Sequence, residues 1–141
     1  MNERDDFSFG SEEFLLSVKK YEEQIRNNKP LFFDLNTFEE LIEYYELQGK
    51  TARAMEAVEY AIGIYPFSAS MLIKKAELLF QYRKYDEALR DINFAIANVA
   101  ANAGLYAARA DIYFGLNDFE HALSDAQTAQ SEERHTYSHM K

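Results

Sequence analysis

The fifteen residues from Tyr85 to Val99, YDEALRDINFAIANV, decide how this chain is read. Tyr85, Ala88, Leu89, Ile92, Ala95, Ile96 and Val99 stand at offsets of 0, 3, 4, 7, 10, 11 and 14, and Asp86, Glu87, Arg90, Asp91 and Asn93 fill positions between them. Steps of three and four put the first set on one stripe of an α-helix, so the segment predicts a helix with a dry face and a wet face. Alanine in such a stripe lets a second helix axis approach to about 8 Å, where a larger side chain would hold it off.

The stripe repeats on both sides. Ala54, Ala88 and Ala122 are 34 residues apart, and Ala61, Ala95 and Ala129 keep the same step. Between them run Val58, Ile92 and Ala126, and Thr51, Tyr85 and Phe119 open each series. A second set of columns precedes this one: Phe38, Leu72 and Tyr106; Ile42, Ala76 and Ala110; Tyr45, Leu79 and Tyr113. The chain therefore divides into three aligned units, 35–68, 69–102 and 103–136, each predicted to be two helices joined by a tight turn. The turns are expected at Gly49-Lys50, Arg83-Lys84 and Asn117-Asp118, and Pro66 with Ser68 separates the first unit from the second. Periods of about 20 to 50 residues mark solenoids, in which each unit leaves an apolar face for its neighbour to cover.

Local signals set the helix starts. Asn36 followed by Glu39 has the form of a capping box, and Asn102 suits the cap of the third unit's first helix. Ahead of the repeats, Ser11 to Asn28 carries Phe14, Leu15, Val18, Tyr21 and Ile25 at helical spacing and stops before Pro30. Two roles fit this helix: a lid on the first unit, or a dimerisation surface. The Leu31 to Leu35 segment, LFFDL, is too apolar for a free linker and is expected to lie against the first pair, so 11–34 forms a capping helix and connector. Residues 1–10 are expected to be flexible, and the polar run from Ser131 to Lys141 to fray, with 137–141 as a tail. The last helix carries few large apolar groups, so it either needs no lid or is followed by further repeats in a longer parent chain.

Composition bounds the function. With 141 residues, 48% of them hydrophobic, one cooperative domain is expected. The absence of cysteine removes disulfides and thiolate chemistry, and no segment reads as an export leader or a membrane span, so the cytoplasm is the expected location. The net charge of −9, from 24 acidic and 15 basic residues, repels phosphate backbones and anionic lipid, and neither nucleic acid nor membrane is expected as a partner.

These columns resemble the tetratricopeptide repeat family over about residues 35–134. Tyr85 and Phe119 match the family's aromatic at the second-helix start, Ala54, Ala88 and Ala122 its small residue, and Pro66 its final proline. Phe38, Leu72 and Tyr106 replace its first-helix tryptophan, and Ala100 and Arg134 stand where the proline recurs. The resemblance implies an all-α, right-handed superhelix of antiparallel helix pairs, whose first helices line a concave groove for a partner peptide or helix. Projected onto that groove are Glu39, Glu43 and Glu46, then Ile73, Glu77 and Phe80 with Lys74 alongside, then Ala107, Asp111 and Phe114. Glu43, Glu77 and Asp111 again keep the step of 34, so the expected partner is a basic segment with apolar anchors. A wet acidic face also serves solubility alone. Large rings such as Phe80 and Phe114 on such a face weigh towards binding. One subfamily grips acidic C-terminal tails with basic and amide side chains; here its positions hold Glu39, Glu43, Gly104 and Ala108, so no such binding is expected.

Catalysis finds little support. His135 and His139, four apart with Glu132 one turn away, have a chelating spacing but fall in the polar tail, and His121 is expected on a solvated surface. The five glycines form no phosphate loop. The reading is a non-enzymatic interaction scaffold without cofactor or metal; the alternative is self-association, as in a homodimer, through the N-terminal helix or the uncapped C-terminal end.

Overall fold

The computed structural model describes residues 11–30 and 32–140, with side chains through His135. The expected flexible start at 1–10, Leu31, Lys141 and the side chains of 136–140 lie outside the described residues. Within that range the protein is all-α, with no strand among the described residues. Its helices are α1 (Glu12–Arg26), α2 (Leu35–Leu47), α3 (Thr51–Ile64), α4 (Ala69–Gln81), α5 (Tyr85–Asn98), α6 (Ala103–Gly115) and α7 (Phe119–Met140). None of them is long and apolar enough to cross a membrane.

The period governs the helix ends as well as the columns. α2, α4 and α6 begin at 35, 69 and 103, and α3, α5 and α7 at 51, 85 and 119. Each first helix is started by a short polar side chain in the same phase. Asp34 Oδ1 accepts from the Thr37 amide at 2.7 Å, Ser68 Oγ from Met71 at 3.3 Å, and Asn102 Oδ1 from Leu105 at 3.3 Å. The α2 cap is thus Asp34, two residues before the expected Asn36, whose amide instead donates to Glu40 Oε1 at 3.0 Å. Asp34 wins because the backbone there is extended, as an N-cap requires, and its carboxylate also meets the positive end of the helix.

Each turn within a pair uses one left-handed residue, again in phase: Gly49 (φ 72°), Arg83 (φ 60°) and Asn117 (φ 63°). Around each, two backbone bonds close a Schellman motif. In the first, Gly49 N donates to Glu46 O at 3.0 Å and Lys50 N to Tyr45 O at 2.8 Å; Arg83, Lys84, Asn117 and Asp118 repeat the arrangement. The last helix departs from expectation, since α7 continues to Met140 through the polar run. That run contains no glycine or proline to end it.

By contacts the chain divides into two compact units, Met1–Ala61 and Ile62–Lys141. In the first unit α1 buries Phe14, Val18 and Tyr21, with the Phe14 ring edge-on to Tyr44 at 5.4 Å and Tyr21 beside Tyr45 and Tyr60 at 6.3 and 6.4 Å. Phe38, Leu41, Ile42, Ala54, Ala57 and Val58 complete that core. Of the connector, Phe33 packs on Tyr21 and Phe38, whereas Phe32 is 84% exposed. In the second unit α4 packs on α5 and α6, α5 on α6, and α6 on α7. Its core columns stay buried through Ala76, Leu79, Ala88, Ile92, Ala95 and Ala110, but Ala126 is exposed.

Candidate functional site

α4 and α6 stand one period apart, and residues of both line a hollow of about 330 Å³ in the second unit. Ala76, Ala108 and Ile112 contribute its apolar wall, and Glu77, Phe80, Gln81 and Asp111 its remaining lining. Small residues at 76 and 108 leave the space, because a methyl fills so little of the gap between two helices. The Asp111 carboxyl titrates above its ordinary value, through desolvation first and the charge of Glu77 second. Lys74 Nζ lies 3.3 Å from Glu77 Oε2, a half-exposed pair that offsets part of this repulsion.

Aromatic residues support the hollow from the turn side. Phe80 and Tyr85 lie 5.2 Å apart, and Phe114 and Phe119 repeat that pair one period later at the same distance. Gly115 makes room for the first pair: a Cβ there would come within 2.9 Å of Phe80 Cε2 and 3.1 Å of Tyr85 Cε1. Phe80 is therefore half-buried and braces its own hairpin, whereas Phe114 remains 64% exposed.

The other expected groove residues distribute differently. Ile73 is half-buried, and a Cβ at Gly104 would meet its Cδ1 at 2.9 Å, so it packs on the first turn of α6. Ala107 is exposed and lines, with Asp111, Leu123, Gln127 and Glu133, a second and more open hollow of about 590 Å³ between α6 and α7. Glu39, Glu43 and Glu46 belong to the first unit, Glu39 and Glu43 exposed and Glu46 half-buried; none of them lines either hollow. The structure thus brings Glu77, Phe80 and Asp111 together.

Sequence reasoning missed a part-buried ion pair between α6 and α7. The Arg109 guanidinium makes a two-pronged contact with Asp125, Nε to Oδ2 at 2.8 Å and Nη2 to Oδ1 at 2.9 Å, and Nη1 donates to Asn93 Oδ1 at 3.0 Å. It lies over the Tyr106 and Tyr113 rings at 5.6 and 5.9 Å. Asp125 is buried, so the fork geometry that satisfies both its oxygens is what makes its burial tolerable. Hydrogen bonding to Asp125 raises the Arg109 pKa, against the effect of its own desolvation. One period earlier Lys75 and Asp91 form the same pair at 3.1 Å, and in the first unit Leu41 and Ala57 hold these positions, fully buried. A cation sixteen residues before an aspartate, twice in phase, was the available sequence signal.

His121 Nδ1 lies 2.7 Å from Asp118 Oδ2, and its ring stacks on Tyr113 at 5.1 Å. His135 is exposed, and its expected partner His139 has its side chain outside the described residues. Among the described residues no group of three His, Asp or Glu is placed to hold a metal. Comparison with known proteins finds no matching family model and no matching curated protein.

Proposed function

We propose that the chain is a protein-interaction module of the tetratricopeptide type, a right-handed superhelix of three helical pairs led by a lid helix, which recognises a basic partner segment through its acidic first helices. The strict recurrence of Asp34, Ser68 and Asn102 as caps, and of Gly49, Arg83 and Asn117 as left-handed turn residues, supports the repeat reading. The observation that carries the binding reading is the convergence of Glu77 and Asp111, from consecutive first helices, on one hollow with an aromatic edge. Two carboxylates that repel each other are stabilised by a ligand cation, and Phe80 with exposed Phe114 offers contact for an apolar anchor.

A set of labelled twelve-residue peptides combining Lys or Arg with Leu or Phe tests the proposal by fluorescence anisotropy. At least one should bind the native chain, weaken with added salt, and lose about tenfold in affinity with Glu77→Lys/Asp111→Lys while circular dichroism is unchanged. Equal affinity for both proteins across the set removes the acidic face as the docking surface.

Self-association has one observation in its favour: Leu15 and Leu16 on α1 are 45% and 59% exposed. Val18 is buried within its own unit, so the discriminating variant is Leu16→Glu. A dimer by light scattering that this variant dissociates supports that reading, and a monomer at high concentration rejects it.

A further inference from the structure

A second hollow of the Ile62–Lys141 unit, about 320 Å³ and mostly apolar, opens beside the Lys75–Asp91 pair. Pro66, Phe67, Leu72 and Phe94 form its walls, and Phe67 and Phe94 are 61% and 54% exposed. Two large rings flanking one opening cost solubility unless something covers them. The repeat itself indicates what that is. Lys75, Asp91 and Leu72 correspond, 34 residues on, to Arg109, Asp125 and Tyr106. In that later pair the cation stands 5.6 Å from the centre of the Tyr106 ring, which the chain supplies from within. In the earlier pair Leu72 replaces the tyrosine, so the equivalent cation faces a cavity with no ring of the first helix in it.

The chemistry left unfilled is specific. A cation prefers the electron-rich face of an aromatic ring, and the more so the more the two are desolvated. The adjoining carboxylate accepts a hydrogen bond, which a phenol or indole supplies and an aliphatic chain does not. The volume lies at the lower edge of ligand pockets, roughly 300 Å³, and so suits a single ring.

We propose that this hollow receives a tyrosine side chain of a protein partner, its ring held between Phe67 and Phe94 over Lys75 and its hydroxyl donating to Asp91. The site is separate from the acidic face, because Glu77 and Asp111 take no part in it.

The test is a titration of the full ¹⁵N-labelled chain, followed by amide chemical shifts, with the blocked tripeptide Gly-Tyr-Gly, its Gly-Leu-Gly counterpart, and p-cresol. The tyrosine tripeptide should give saturable shifts at Phe67, Leu72 and Phe94, at least tenfold tighter than the leucine one. Leu72→Tyr, which installs the ring that the later pair carries, should abolish them. Phe94→Thr, an exposed change to the residue one period on, keeps the test open if Leu72→Tyr does not fold; it should weaken the tripeptide at least fivefold. Glu77→Lys/Asp111→Lys should leave these shifts intact whatever becomes of the acidic face. No saturable shift, equal response to the leucine tripeptide, an unaffected Phe94→Thr, or binding of p-cresol without the tripeptide would each overturn the proposal.

Discussion

Two buried tyrosines of the first unit, Tyr21 and Tyr45, are both 0% exposed yet differ in what their hydroxyls meet. Tyr45 donates to Glu22 Oε2 at 2.6 Å, whereas the Tyr21 hydroxyl is buried without a hydrogen-bond partner among the described residues. Burial, then the Glu56 charge, drives the Tyr21 phenol well above its ordinary range, and burial followed by the bond to Glu22 does the same for Tyr45. Both rings are neutral at working pH, so the hydroxyls matter as hydrogen-bonding groups. An orphan buried hydroxyl costs about 1–3 kcal/mol, and a bond to a charged acceptor contributes about 1.5–3 kcal/mol. Tyr21→Phe should therefore raise stability by up to about 1 kcal/mol, while Tyr45→Phe should lower it by about 1–2 kcal/mol. Urea denaturation of the two variants checks this, and a loss in Tyr21→Phe comparable to that in Tyr45→Phe defeats it. The apolar spacing of α1 made Tyr21 readable as a core residue, but the fate of its hydroxyl depends on contacts with α2 and α3 that no local pattern encodes.

At the level of helices and turns, the left-handed positions of the three turns within the helix pairs are an internal substitution series. Gly49 adopts φ 72° at no steric cost, Asn117 tolerates φ 63° because its short polar chain suits that region, and Arg83 at φ 60° gains from neither property. A side chain held there costs about 1–2 kcal/mol, offset in part by the extra freedom glycine has when unfolded. Arg83→Gly should consequently stabilise by about 0.5–1 kcal/mol, Asn117→Gly by less, and Gly49→Arg should destabilise. Thermal melts of the three variants decide it; a lower midpoint for Arg83→Gly rejects the account. These turns were legible because dipeptides such as Gly49-Lys50 interrupt the stripes in phase, as did every second-helix start. The α2 cap was misplaced because Asp34 and Asn36 are both capping types and only backbone geometry separates them. The α7 terminus was missed for a different reason: polarity at 131–140 suggested fraying, but polarity alone does not stop a helix. Arg109 and Asp125 escaped notice because their pairing crosses between helices, outside any single stripe.

For the whole molecule, the acidic balance of 24 against 15 charges becomes local at Asp111, where carboxylate repulsion and desolvation act together. Glu77 and Asp111 were legible as a column, and their shared hollow was not, since it depends on how α4 and α6 pack. Because the folded Asp111 pKa lies above its unfolded value, folding takes up protons there, and the ionised form opposes the fold. The stabilising effect is complete below the unfolded value and disappears as pH rises through the folded one. Asp111→Asn should therefore melt higher than the native chain at neutral pH, the difference shrinking as acid protonates the native carboxyl. A carboxylate kept only to stabilise the fold predicts the reverse, a lower melting point for Asp111→Asn at neutral pH, and that outcome excludes the electrostatic account. If the acidic face is the docking surface, the same variant binds its cationic partner less well, and the chain keeps at 111 a residue that opposes folding because it aids recognition.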